Sequence, residues 1–422
     1  MAESFLLATR VFDGHEVHPD SAVGIEDGRV TRVLPAASVP AGAQVQSLQG
    51  VTLMPGLIDA HVHLAPWMMF GLLAAGVTAV RDCGNDIDRV EELMGELPIP
   101  THLRPSVEWS GPLLESDRVN WPSIARAHAT DDEIRTTVDE LADRGLRWIT
   151  LYANATPSLM AAAASQAHRR GLRALGYPGA SRLMEAVAAR VDEVQHLAGC
   201  LAADLDLDAA ARPGEVVAGA DVDHCPTLVM WRALAELGQP RAARDRGAEW
   251  APQRVVDGWS SAHHATQSAE NRLKRLADLR ERMSLIMVLR DHGRRLLVGS
   301  DAPFPGLLPG VSLHDEAGLL VQCGISELEV LRALTSGNAE AVGLADRGRL
   351  VPGAVADIVA VTGDPTTTIA HLSRVESVWK AGQPIDFVML RSLAAQYLER
   401  ASEAPIDSLA RLRYTPCTAA GS

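Results

Sequence analysis

At 422 residues, with 47% hydrophobic and 22% charged residues, the chain has the balance of a soluble globular protein and exceeds one ordinary domain. Its formal net charge of −14 argues against a nucleic-acid partner, whose phosphates require a basic surface. No window reaches the ~18 apolar residues of a membrane span and no basic start precedes an apolar stretch, so a cytoplasmic protein without a membrane partner is expected. The five cysteines, Cys83, Cys200, Cys225, Cys323 and Cys417, are an odd number without C-x-x-C spacing. They suit a reducing compartment, with neither a disulfide framework nor a structural zinc knuckle.

Taken in order, residues 1 to about 50 alternate short apolar runs with Asp13-Gly14 and Asp27-Gly28, which predicts a small antiparallel sheet. Val51 to Leu64 then reads VTLMPGLIDAHVHL. Pro55-Gly56 breaks the chain ahead of an apolar strand that ends in His61 and His63. Residues two apart on a strand point the same way, so both imidazoles can reach one metal ion. Asp59 is placed to accept the second ring N–H of a ligand histidine.

From there strands and helices alternate, the pattern of a parallel sheet. Strand two is predicted at Val77–Arg81, three at Ser106–Trp109, four at Trp148–Tyr152 and five at Arg173–Gly176. Strand six is Glu193–His196, seven Val222–Leu228 and eight Arg295–Ser300. Helices are expected over 131–144, opened by Thr130 with an acidic first turn, and over Pro157–Arg170, ended by Gly171. The long interval before strand eight, about 232–290, carries Trp250, Trp259, His263 and His264, closely preceded by Trp231, and an Arg-rich helical stretch. It is expected to form a helical insertion or lid, with the adjacent histidines diverging on its surface. Val375–Lys380 is a further strand, and Phe387–Arg400 a last helix before a polar tail.

PGLIDAHVHL resembles the signature that opens the barrel of the metal-dependent amidohydrolase superfamily. Gly348-Arg349-Leu350-Val351-Pro352-Gly353 leading into Ala356-Asp357-Ile358-Val359 resembles a second motif of that family, in the right order. The resemblance implies an α/β chain: a TIM-like (β/α)8 barrel over 56–345 and a small β-sandwich built from 1–55 with 346–386, followed by a helix and tail over 387–422. Working residues of such a barrel lie at the C-terminal strand ends. Strand six ends Asp192-Glu193-Val194-Gln195-His196 and strand eight Gly299-Ser300-Asp301. By the resemblance His196 is the strand-six histidine and Asp301 the aspartate that binds metal and moves the proton.

Two departures stand out. Where many relatives carry a carboxylated lysine on strand four this chain has Thr150, and where they carry a strand-five histidine it has Tyr177. The lysines, Lys274 and Lys380, lie near no strand end that could substitute. A second dication would lose its bridging carbamate and one imidazole, too few ligands to offset dehydration and repulsion. His61, His63 and Asp301 with His196 close by suit one divalent ion, zinc first, with iron or manganese as alternatives. Such an ion brings its water to a pKa near ~7. Tyr177 either fills the space of the missing histidine or donates to the tetrahedral oxyanion, while phenolate ligation must overcome a pKa near ~10.

Tyr152, Asn154 and His224 are substrate-pocket candidates at strand ends. Arg81-Asp82 reads as a pocket pair or an ion pair of the barrel, with Glu108 and Trp109 also at a strand end. The resemblance is strongest to the branch with imidazolonepropionase-like enzymes and Xaa-Arg or Xaa-Pro dipeptidases. It implies hydrolysis of an amide bond in a small-molecule or peptide substrate, and family members are often homo-oligomers. The altered metal site suggests a specialised member, by analogy an amidohydrolase of the bottromycin type acting on a modified peptide natural product. The competing readings are a deaminase or cyclic-amide hydrolase, and a degenerate barrel that binds a ligand without turnover.

Overall fold

Asp27 and Gly28 both hold positive φ, 47° and 77°, the conformation of a two-residue hairpin turn whose twist matches its strands. They join β2 (Val17–Glu26) to β3 (Arg29–Pro35) as the Asp-Gly signal predicts; β1 (Ser4–Phe12) pairs antiparallel with β2 and parallel with β4 (Gln44–Pro55). The computed structural model describes residues 3–95, 99–179, 182–205, 212–237, 246–263 and 268–403. His264, Cys417 and the tail beyond residue 403 lie outside the described residues.

The chain then enters β5 (Leu57–Val62), β6 (Val77–Asp82) and β7 (Ser106–Trp109), three parallel strands. Every residue of β5 and β6 is buried, as in a parallel strand covered on both faces. Six further strands follow: β8 (Leu113–Glu115), β9 (Ala125–Ala127), β10 (Trp148–Leu151), β11 (Arg173–Gly176), β12 (Glu193–Gln195) and β13 (Asp223–Cys225). They form a second parallel sheet in the order β13-β12-β11-β10-β8-β9. Between strands lie helices such as Asp131–Asp143, whose Thr130 and Glu133 make the capping box read from the sequence.

The expected eighth strand departs from a regular ladder. Residues 295–301 form no continuous strand and alternate partners: His224 N donates to Arg295 O (3.0 Å) and Leu297 N to His224 O (2.8 Å), whereas Ala60 N donates to Val298 O (3.0 Å) and Asp301 N to His61 O (2.8 Å). Side chains take the groups a ladder would use. Asn338 Oδ1 accepts from Val298 N (3.1 Å), and Asp59 accepts from Ser300 N (2.9 Å) and Ser300 Oγ (2.6 Å). Asp59 is therefore committed to the β5 and 295–302 seam and does not orient a ligand histidine through its ring.

Strands β14 (Ile358–Thr362), β15 (Val375–Lys380) and β16 (Gln383–Pro384) return to the first sheet. The result is seven strands from both chain ends, ordered β16-β15-β14-β4-β1-β2-β3. Its buried face includes Leu6, Val11, Val23, Leu53, Ile358 and Trp379. In the insertion, helices occupy Gln253–His263 and Ala269–Asp291, the latter matching the Arg-rich stretch. Among the described residues no helix is long and apolar enough to cross a membrane.

Candidate functional site

His61 and His63 leave the end of β5 with ring centroids 5.4 Å apart. His196, directly after β12, packs its ring 4.7 Å from that of His61. Asp301, after Gly299 and Ser300, has Oδ1 3.3 Å from His61 Nε2 and 3.5 Å from His63 Nε2. His61, His196 and Asp301 each offer a ligand atom within 4.8 Å of the others, and all three are buried. His63 stands beside this group, in reach of Asp301 but outside the tightest set. His196 and Asp301 hold φ of 63° and 59°, and Leu197 and Thr227 of 50° and 45°. Non-glycine residues rarely adopt that region, and strain of this kind concentrates where a side chain must be aimed.

The remaining ring nitrogens show how the imidazoles are oriented. His61 Nδ1 meets Gln195 Oε1 at 2.5 Å, His63 Nδ1 the Gly84 carbonyl at 2.9 Å and His196 Nδ1 the Thr227 hydroxyl at 2.6 Å. Each partner is an acceptor. Gln195 spends its amide N–H on Glu193 (2.6 Å), and Thr227 spends its proton on the Pro226 carbonyl (2.9 Å). All three rings thus carry hydrogen on Nδ1 and turn Nε2 toward Asp301, the arrangement that prepares a histidine to bind metal. His61 Nε2 is buried without a hydrogen-bond partner among the described residues. Two Nε2 atoms that face one carboxylate at 3.3 and 3.5 Å can share a proton with it or hold a cation, and the N/O donor set is one that a divalent ion accepts.

Burial opposes a charge on His61, but Cys83 and Asp301 beside it hold its pKa well above the ordinary imidazole value. Burial pushes His196 down to about 3, with Asp301 acting the other way, so the ring is a neutral donor near pH 7. Burial alone would raise Asp301, but the neighbouring imidazoles of His196, His61 and His63 hold it well below the usual carboxylate range. Gln195 is itself fixed by Glu193, whose carboxylate pairs with Arg81 at 2.9 and 2.5 Å, all of it buried. Arg81 therefore pairs with Glu193 and not with Asp82, which accepts from Leu64 N, Gly84 N and Asn85 Nδ2.

Substituting Gln195 by leucine is expected to leave the His61 Nδ1–H buried and unpaired and to weaken metal binding about 10- to 100-fold. Chelator competition on the purified variant measures it.

The Amidohydrolase family profile matches residues 130–386, more than half of the chain. The chain belongs to the amidohydrolase family. It is 26% identical over 412 residues to an imidazolonepropionase of Ralstonia nicotianae, covering 88% of this chain and 94% of that one. A match to an allantoinase of Streptomyces avermitilis is 44% identical but confined to 63 residues, so the chain spans only 14% of that enzyme. In fold it superposes on a bottromycin amidohydrolase with a TM-score of 0.72 at 24% identity, covering 94% of this chain and 90% of that one. As an amidohydrolase the protein is a hydrolase acting on carbon–nitrogen bonds, in a superfamily that depends on metal.

The other residues singled out in this amidohydrolase fall into two groups. Tyr177 stacks on Tyr152 with centroids 5.1 Å apart and sets its edge against His196 at 5.3 Å, while Trp121 Nε1 donates to the Tyr152 hydroxyl at 3.1 Å. Both tyrosines thus border the histidine group. Asn154 instead ties down a loop by donating to the Arg118 carbonyl at 3.0 Å. His224 is fully buried, and the charges that act on it are Glu193 and Arg294, not Asp301. Thr150, in place of a lysine, donates to Ser110 Oγ at 2.9 Å.

Sequence reasoning passed over Gln195, Thr227, Trp231 and Arg282 as parts of the site. One signal was present: Glu193-Val194-Gln195 puts two polar residues at period two in a strand whose fellows are apolar.

Proposed function

We propose that this amidohydrolase cleaves an amide C–N bond in a peptide-like molecule, using one divalent ion, zinc by preference, held by His61, His63, His196 and Asp301. The observation that carries the reading is the common orientation of the three imidazoles, each tied through Nδ1 and turned toward one carboxylate. A single ion is favoured because Thr150 and Tyr177 supply neither the carbamate nor the imidazole a second would need. An ion bound there supplies Lewis acidity, which acidifies water and polarises a carbonyl.

The chain's own groups do the rest. Asp301, ionised at neutral pH, accepts a proton from the attacking water and returns it to the departing nitrogen. Tyr177, against His196 and half-buried, donates a hydrogen bond to the carbonyl oxygen as it gains charge. One water is consumed: its hydroxyl joins the acyl carbon, and the nitrogen leaves with the protons.

The architecture we infer for this chemistry is a closed (β/α)8 barrel over 56–345 with an insertion at about 232–290, and a composite β-sandwich of 1–55 with 346–386. The hydrogen bonds of residues 295–302 to both β13 and β5 support closure. The departures at Thr150 and Tyr177 favour a specialised substrate, and maturation of a modified peptide natural product is the setting we propose.

Metal analysis of purified protein is expected to give about one equivalent per chain, lost in the His61→Ala, His63→Ala double variant. Close to two equivalents would overturn the single-ion reading, and none in folded protein the metal-dependent one. Mass spectrometry of peptide digests should show two fragments whose masses together exceed the substrate by one water.

A further inference from the structure

His196 is gripped twice by one short helix, Leu228–Ala235, and the residue ahead of it. Its ring Nδ1 meets the Thr227 hydroxyl at 2.6 Å, and its carbonyl accepts from the Trp231 indole N–H at 2.8 Å, one turn further along. Arg282 of the insertion adds a donor to the same carbonyl at 3.2 Å. Thr227 is the N-cap of the helix, where a threonine ordinarily takes extended backbone and lends its oxygen to the second or third amide. Here it does neither. Its φ and ψ are 45° and 48°, in the left-handed region, and its hydroxyl makes no capping bond. For a β-branched residue that backbone is an outlier, and it persists only where the surroundings hold it.

The first amides of the helix are buried and still need acceptors. Glu316, on the helix Val311–Gln322, supplies both. Its Oε1 accepts from Leu228 N at 2.9 Å and its Oε2 from Val229 N at 2.6 Å, and it is fully buried. Among the described residues it has no ion pair: Arg232 acts on it only through space and pairs instead with Asp315 at 3.0 Å. Burial pushes its carboxyl up to about 8 against the pull of the two amides, a cost that an apolar side chain in the same place would not carry.

We infer that Glu316 is a positioning residue for His196 and acts through Thr227: by capping the helix in the threonine's stead, it leaves that hydroxyl to the imidazole. Without the carboxyl, the two bare amides draw the Thr227 oxygen back to an ordinary N-cap. His196 then loses the acceptor that keeps hydrogen on Nδ1 and turns Nε2 toward Asp301. The inference rests on the metal-site reading and adds to it a residue that touches neither ion nor substrate.

A double-variant cycle read by Zn2+ affinity under chelator competition tests it. Glu316→Leu, close in volume and unable to accept, should bind Zn2+ about 10-fold or more weakly, as should Thr227→Val, which keeps the β-branch and loses only the hydroxyl. Combined, the two should cost no more than one alone, whereas independent effects multiply. Glu316→Gln keeps one acceptor and should lose less; it takes the place of the leucine variant in the cycle if that variant does not fold. Losses that multiply, or a lowered melt with Zn2+ affinity unchanged in the Glu316 variants, overturn the inference. A second readout needs no metal. In metal-free protein labelled at its histidine nitrogens, the Nδ1–H of His196, assigned by its absence from His196→Gln, should be protected from exchange in the wild type and lose that protection when Glu316 is replaced. If the wild type takes up no Zn2+, the metal reading fails and this signal decides alone: lost protection upholds the positioning role, and retained protection overturns it.

Discussion

Replacing Asp301 by asparagine is expected to lower kcat by about 10³-fold or more, with the fold intact, because two roles end on one side chain. In the mechanism proposed above the carboxylate would be an oxygen ligand to the ion and also the proton acceptor, a contribution that alone is typically 10²–10⁴-fold. Asparagine is the informative choice for a backbone reason. Asp301 sits at φ 59°, where Asn is among the few residues that add little strain, so the variant removes charge without forcing the segment to move. The buried Asp301 lies 3.3 Å from His61 and 3.5 Å from His63, and an amide of nearly the same shape fills the same space. The measurement is kcat against a peptide substrate together with a thermal melt and metal content. Retention of more than a tenth of wild-type kcat would remove Asp301 from the proton path.

The second large effect concerns stability. Arg81→Met leaves the Glu193 carboxylate in the interior without its paired cation, with Arg173 acting on it only through space, and breaking a buried pair in this way costs about 3–5 kcal/mol. Arg81 and Glu193 are both fully buried, joined by two hydrogen bonds, and Arg81 also donates to the Ala60 carbonyl at 2.9 Å and lies 4.6 Å over the Trp148 ring. Adding Glu193→Gln to Arg81→Met should recover part of the loss, because the stranded charge is gone. Urea denaturation reads both as shifts in midpoint at constant slope. Since Glu193 also holds Gln195 and through it His61, the single variant should bind metal more weakly as well. Unchanged stability of Arg81→Met would mean that the pair is not the interior tie the structure shows.

Much of the framework was legible because its causes are local. The Asp27-Gly28 hairpin, the Thr130 cap, the helix end at Gly171 and the parallel strands β6, β7, β10, β11 and β12 follow from turn chemistry, capping and apolar periodicity within a few residues of chain, whereas the short β8 and β9 were not predicted. The shared direction of His61 and His63 is local too, set by the two-residue repeat of a strand.

What tertiary structure alone decided are the partners that come from far along the chain. Asp59 went to Ser300 instead of a histidine ring, Arg81 to Glu193 instead of Asp82, and His61 to Gln195, 134 residues away. Arg282 reached the His196 carbonyl from within an insertion whose helical period shows no destination. Periodicity states which face of an element is apolar, but a buried polar group is satisfied by whichever distant group the packing brings within about 3 Å, and no local pattern encodes that choice.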